Sequence, residues 1–216
     1  DFAYTLDGGD ITDFEYETFN AAMAHVTVNG FSIHPGTAKD KMKNALLMAM
    51  EFNAMLPSFE IPANTEGYEG FIHLTDMSGD VVEAELHYII RDHDSAMFAC
   101  RQEMMWHIAK LLNEKYGEGT VTLTMKEQYR NMKEMIEPCM HLIDNAKKAV
   151  QQSGLNPETV AIRGGTDGAR LSFMGLPCPN LGTGGYAFHG PCEHITVEGM
   201  DYAVENLKNI VKLYAY

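Results

Sequence analysis

The chain of 216 residues has only four Cys and one Trp, and its 16 Lys and Arg are set against 30 Asp and Glu. Each shortage excludes something. A formal net charge of −14 repels a phosphate backbone, so no nucleic-acid partner is expected. The longest apolar run, Ala45 to Met50, is far short of the ~18 residues a membrane span needs, so no membrane partner is expected either. Cys100, Cys139, Cys178 and Cys192 show no paired metal-type spacing. With 15 Met they suggest a reduced, cytoplasmic protein rather than a disulfide-stapled secreted one. What remains is an ordinary globular composition, 45% hydrophobic and 21% charged, which excludes disorder and coiled coil.

The chain opens without Met or a leader-like segment, as Asp1-Phe-Ala-Tyr-Thr-Leu-Asp7-Gly-Gly. Phe2, Tyr4 and Leu6 alternate with smaller residues, the period of a strand. A strand ending so early in a carboxylate and two glycines is expected to come from inside a longer enzyme. An acidic stretch runs on to Glu17, then a strand over 22–28 closed by Asn29-Gly30. Thr37 and Asp40 form a capping-box variant ahead of an expected helix over 38–56, stopped by Pro57. Strands are expected at 68–77 and 81–91, joined by Ser78-Gly79-Asp80. Asp94 should cap a second helix ended by Gly117, with one more strand around Val121 and Leu123. Residues 21–130 therefore read as β-α-β-β-α-β, the ferredoxin-like pattern. A helix over 138–153, short strands at 159–162 and 176–181 and a helix over 198–214 complete the chain. Residues 1–20 and 131–216 are expected to form one α/β domain interrupted by the ferredoxin-like block.

Four loops carry the candidate chemistry. Asp7-Gly8-Gly9 places a carboxylate at a strand's carboxyl end, where α/β proteins hold ligands, although a hairpin turn has the same signature. His34 stands in a Gly/Pro-flanked loop just before a helix start, where backbone N–H groups could steady an oxyanion. Arg163-Gly-Gly-Thr-Asp-Gly-Ala-Arg170 requires unusual backbone geometry but fits neither the phosphate-loop nor the dinucleotide pattern. In Gly182-Thr-Gly-Gly-Tyr-Ala-Phe-His189-Gly-Pro-Cys-Glu193-His194 an imidazole has a carboxylate four residues on, as zinc ligands often do. His194 and Glu198 repeat that spacing, and only the glycine context favours His189.

With these loops in order, the chain resembles the two-zinc exopeptidases, the family of aminoacylase and glutamate carboxypeptidase, and among them the tripeptide aminopeptidases. The matching segments are AYTLDGG, HPGTAKDKMKNAL, TEGYEGF, HYIIRDHD, IRGGTDGARLSFMGLPCPN and TGGYAFHGPCEHITVEGMD. Two departures are small: Gly182 replaces a bulkier residue, and Pro191-Cys192 stand in the His-to-Glu spacer without changing its length. The resemblance implies a fold, a partial α/β zinc-peptidase catalytic domain interrupted by an α+β ferredoxin-like lid domain. It implies a reaction, release of a tripeptide's N-terminal residue by metal-activated water, with two zinc ions per complete site.

It also implies roles. Asp7 and His189 match metal ligands, Glu193 stands behind His189, and His34 matches a lid-domain residue that polarises the scissile carbonyl. Arg91 and Arg163 lie in segments lining the substrate pocket, where guanidinium groups could clamp a peptide carboxylate. The resemblance covers the family's C-terminal half only. The upstream His and Asp ligands and the Glu-Glu pair that includes the general base have no counterpart here, since the sequence holds neither an HxD motif nor two adjacent Glu. The chain alone is therefore expected to be inactive, and two ligands are too few for a tight zinc site. Expected partners are small peptides and, through the lid, a second copy of the chain. The alternatives are a non-catalytic lid or dimerisation module, or a related two-zinc hydrolase acting on dipeptides or N-acyl amino acids.

Overall fold

The computed structural model describes residues 1–215. Its strands are β1 (Thr5–Gly8), β2 (Asp13–Glu17), β3 (Asn20–Asn29), β4 (Phe71–Gly79), β5 (Glu83–Asp92), β6 (Val121–Tyr129), β7 (Glu158–Ala161), β8 (Asn180–Gly182), β9 (Gly185–Tyr186) and β10 (His194–Ile195). Its α-helices are α1 (Ala45–Ala54), α2 (Ser95–Tyr116), α3 (Lys133–Ile136), α4 (His141–Gln152), α5 (Asp167–Phe173) and α6 (Val197–Tyr214). The chain divides into two compact units, Asn20–Gln128 and Asp1–Phe19 with Tyr129–Tyr216. Among the described residues, no helix is long and apolar enough to cross a membrane.

The Asn20–Gln128 unit is the ferredoxin-like one, with sheet order β4-β5-β3-β6. Its two central strands pair antiparallel without interruption from Asn20 opposite Asp92 to Asn29 opposite Glu83. Strict alternation sorts their side chains. Ala22, Ala24, Val26 and Val28 of β3, with Ala84, Leu86, Tyr88 and Ile90 of β5, are buried in one core with residues of α1 and α2. Met23, His25, Thr27, Glu85, His87, Ile89 and Arg91 take the opposite face.

Helix α2 begins where Asp94 accepts a hydrogen bond from the Met97 N–H at 2.8 Å. It ends at Gly117, whose φ of 109° suits glycine. Helix α1 is shorter than the 38–56 span its apolar spacing suggests, because Asn44, not Thr37, is the cap and accepts from the Leu47 N–H. Phe31 bridges Lys43 antiparallel, which holds that stretch extended.

The second unit has a mixed sheet in the order β1-β8-β2-β7. Strand β2, at an internal position, comes from the acidic stretch that carries no obvious strand period. Phe14 is buried there with Leu181 of β8, Ala146, Ala149 and Val150 of α4, and Ile210 of α6. A smaller cluster joins Met132, Ile136, Ile143 and Ala169. The expected strand at the amino end starts only at Thr5, and 176–181 contributes only Asn180–Gly182 with its neighbour. Within the expected Arg163–Arg170 loop, Asp167 starts α5, capped by Thr166, which accepts from the Ala169 N–H.

Candidate active-site residues

Asp7 is exposed near the carboxyl end of β1. Strand β1 runs parallel to β8, with Leu6 opposite Leu181 and Gly8 opposite Gly182, so Asp7 is the extra residue of a bulge. Bulges re-aim a side chain away from its strand's alternation. The glycines beside it are required by space: a Cβ on Gly8 would stand 2.8 Å from the Leu181 carbonyl oxygen, and one on Gly182 would overlap the Asp10 carbonyl.

The loop leading to His189 is tied to this bulge. Thr183 Oγ1 donates to the Gly8 carbonyl at 2.9 Å, and the Gly184 N–H donates to the Gly9 carbonyl at 3.0 Å. His189 itself has φ of 61° and Ala187 of 54°, left-handed conformations that non-glycine residues rarely adopt. Such outliers cluster where function holds a backbone in place, at about 1–3 kcal/mol each. Glu193 Oε2 accepts the His189 backbone N–H at 3.0 Å. Its contact is thus with the loop's main chain, and it orients His189 through the backbone. The neighbouring His194 donates Nδ1–H to the Cys192 carbonyl at 2.8 Å and stacks on Tyr186.

Glu15 is the residue that sequence reasoning missed. It is buried under the Asp7 loop, where Oε1 accepts from the Gly9 N–H at 3.3 Å and Oε2 from Asn180 Nδ2 at 3.3 Å. Burial pushes its carboxyl above the ordinary range; the Gly9 and Asn180 hydrogen bonds oppose this, and nearby Asp13 and Asp7 add to it. The one available signal was Phe14 and Tyr16 flanking it, a short apolar alternation hidden among acids.

His34 is exposed, and its ring Nδ1 accepts from the Gly36 N–H at 3.1 Å. That bond leaves the neutral ring's proton on Nε2, an outward donor. Directly after His34 the chain makes a single 3-10 turn over Pro35–Thr37 rather than an α-helix, so the expected cluster of helical N–H groups is not beside it. Arg91, on the helix-free face, donates Nη1–H to the carbonyls of Ala22 at 3.1 Å and Ile90 at 2.9 Å, and Nη2–H to Gln128 Oε1 at 2.9 Å. Arg163 lies over the Phe19 ring, 5.1 Å from its centroid. The structure thus joins the Asp7 and His189 loops within one unit and carries His34 and Arg91 on the other.

Residues 16–120 match the model of the peptidase dimerisation domain family. Along its whole length the chain is similar to curated proteins named Peptidase T. It is 59% identical over 215 residues to that of Clostridium perfringens, covering 100% of this chain and 53% of that protein. It is 53% identical over 214 residues to that of Caldanaerobacter subterraneus subsp. tengcongensis, covering 99% of this chain and 52% of that protein. The chain spans about half the length of the curated relatives it matches. In fold it resembles a tripeptidase from Staphylococcus aureus, with a TM-score of 0.87 at 20% identity over 100% of this chain and 57% of that one. An aminopeptidase PepT from Bacillus cereus gives 0.82 at 20% identity over the same shares.

Proposed function

We propose that this chain is the C-terminal half of a zinc-dependent tripeptide aminopeptidase, that Asp7 and His189 are its contribution to the metal site, and that the missing half supplies the remaining ligands and the general base. The end-to-end identity with proteins named Peptidase T carries this reading. The donor set supports it as well, since a carboxylate on a bulge and an imidazole on a loop stapled to that bulge suit zinc's oxygen and nitrogen ligation. Bound zinc would supply water activation and carbonyl polarisation.

The chain's own residues then have separate tasks. Glu15 holds the Gly9 backbone from beneath, fixing the loop that presents Asp7. Glu193 pins the His189 main chain in its left-handed conformation. His34 offers Nε2–H to the scissile carbonyl, a donor already oriented by Gly36. Arg163, and Arg91 after exchange of its carbonyl bonds, would receive a peptide's terminal carboxylate.

The test is turnover of a tripeptide with added zinc. The chain alone should show none above background, and the chain joined to the upstream half should be active. In the joined protein, Asp7→Asn and His189→Gln should each abolish turnover, whereas His194→Gln should retain it. Turnover by the chain alone would overturn the division of labour.

A dimerisation role for the lid is favoured by a specific surface. Leu47 and Met50 of α1, with Met97 and Leu111 of α2, expose from 48% to 62% of their area. We infer that a second copy of the domain covers this face. Light scattering should report a dimer that Leu111→Glu dissociates, and a monomeric wild type would count against it.

A further inference from the structure

We propose that His25, Glu85 and His87 form a transition-metal site on the helix-free face of the lid sheet, separate from the residues assigned to peptide cleavage. His25 of β3 and His87 of β5 are direct cross-strand partners. Their rings stack at 4.4 Å between centroids and 7° between planes. Glu85 lies two residues before His87 and therefore on the same face. Its Oε1 is 3.6 Å from His25 Nε2, and its Oε2 is 3.9 Å from His87 Nε2. One donor atom from each of the three lies within 4.8 Å of the others.

Two observations favour a cation over a simple polar cluster. His25 Nε2 is shut off from solvent and has no hydrogen-bond partner, a condition native interiors avoid. The carboxylate separations are too long for hydrogen bonds. They lie near the roughly 3.3 Å between donors around a tetrahedral ion with bonds of about 2.0–2.1 Å. Closing the site requires both rings to turn out of their parallel stack so that the two Nε2 lone pairs converge, while the paired strands keep the two residues adjacent. Two imidazoles and one carboxylate select zinc, nickel or copper over magnesium and calcium, and leave a fourth position for water.

This site does not depend on the peptidase reading, and its test keeps the two apart. The chain carrying Asp7→Asn, His189→Gln and His194→Gln, which lacks those other candidate ligands, is titrated calorimetrically with Zn2+ and, separately, with Mg2+. One equivalent of Zn2+ should bind and Mg2+ should not. Adding His25→Gln, Glu85→Gln or His87→Gln should weaken Zn2+ binding by more than the roughly 10–100-fold that loss of an outer-shell partner costs. His107→Gln, which changes an exposed histidine of α2, should leave it unchanged. Circular dichroism without metal checks that each variant remains folded, as expected for half-exposed positions. No Zn2+ uptake by the folded background chain, or equal uptake with and without His25 and Glu85, would overturn the site.

Discussion

The two units solve the problem of being stable in opposite ways. In the Asn20–Gln128 unit, strands of nine or ten residues pair over their length and one cluster of 21 buried hydrophobic residues lies between sheet and helices. In the other unit the main sheet's strands have three to five residues, and the described hydrophobic clusters hold six and four. Its chain is spent on loops where backbones approach too closely for any side chain, as at Gly8, Gly168 and Gly182. Long alternating ladders give a self-supporting domain. Short strands with tight glycine turns give a scaffold for ligand-bearing loops, which depends more on its surroundings.

Hydrogen exchange on the whole chain should show this most plainly. Amides of β3 and β5 should be the most protected, and those of β1, β7 and β8 should exchange through a lower-energy opening. Equal protection in both sheets would erase the contrast. Next in size is Arg101, nearly buried between Asp92 and Glu60, the latter at 2.9 Å. Burial pushes the Asp92 carboxyl upward, against the pull of the Asp94 N–H and of Arg101. Arg101→Met should therefore cost about 3–5 kcal/mol in denaturant unfolding, because a buried carboxylate loses its cation.

In the other unit, Gly182→Ala forces a methyl against the Asp10 carbonyl. It should destabilise that unit by about 1–3 kcal/mol while leaving the exchange protection of β3 and β5 intact.

The smallest effects have opposite signs of pH dependence. Glu15 has a folded pKa above its unfolded value, so its contribution is fully present below the unfolded value and is lost as pH rises through the folded one. Urea midpoints measured from about pH 4 to pH 7 should fall less steeply with rising pH in Glu15→Gln than in the wild type. Glu51 is held below its ordinary value by Lys115 first and Tyr116 second. Its contribution is present above the unfolded value and lost as pH falls. The pair is exposed, so Lys115→Ala should barely move the neutral-pH midpoint and should slightly flatten its decline in acid.

How much of this was legible in the sequence differs between the units for the same reason that their stabilities do. In Asn20–Gln128 the alternation of Ala22, Ala24, Val26 and Val28, the cap at Asp94 and the stop at Gly117 are local signals, and the structure uses each of them. The exception was α1, where an apolar spacing that begins at Met42 lost to a bridge between Phe31 and Lys43, a contact no local pattern announces. In the other unit, β2 was hidden because Asp13, Glu15 and Glu17 are acids in a strand of the sheet. Glu15 and Glu17 are tolerated because each has partners there, Gly9 and Asn180 for Glu15 and Lys133 for Glu17.

By itself the sequence determined the element order of the lid, the strand-end position of Asp7, the glycine-rich setting of His189 and the family resemblance, because each rests on residues close in the chain. Tertiary structure alone decided that Asp7 falls on a bulge, that Thr183 ties the His189 loop to Gly8, that Glu15 holds the Gly9 backbone, and that His25 meets His87 and Glu85. Those facts depend on strand register and on partners as many as 175 residues apart. Register is fixed by burying one whole face of a sheet at once, and no stretch of sequence read alone contains that constraint.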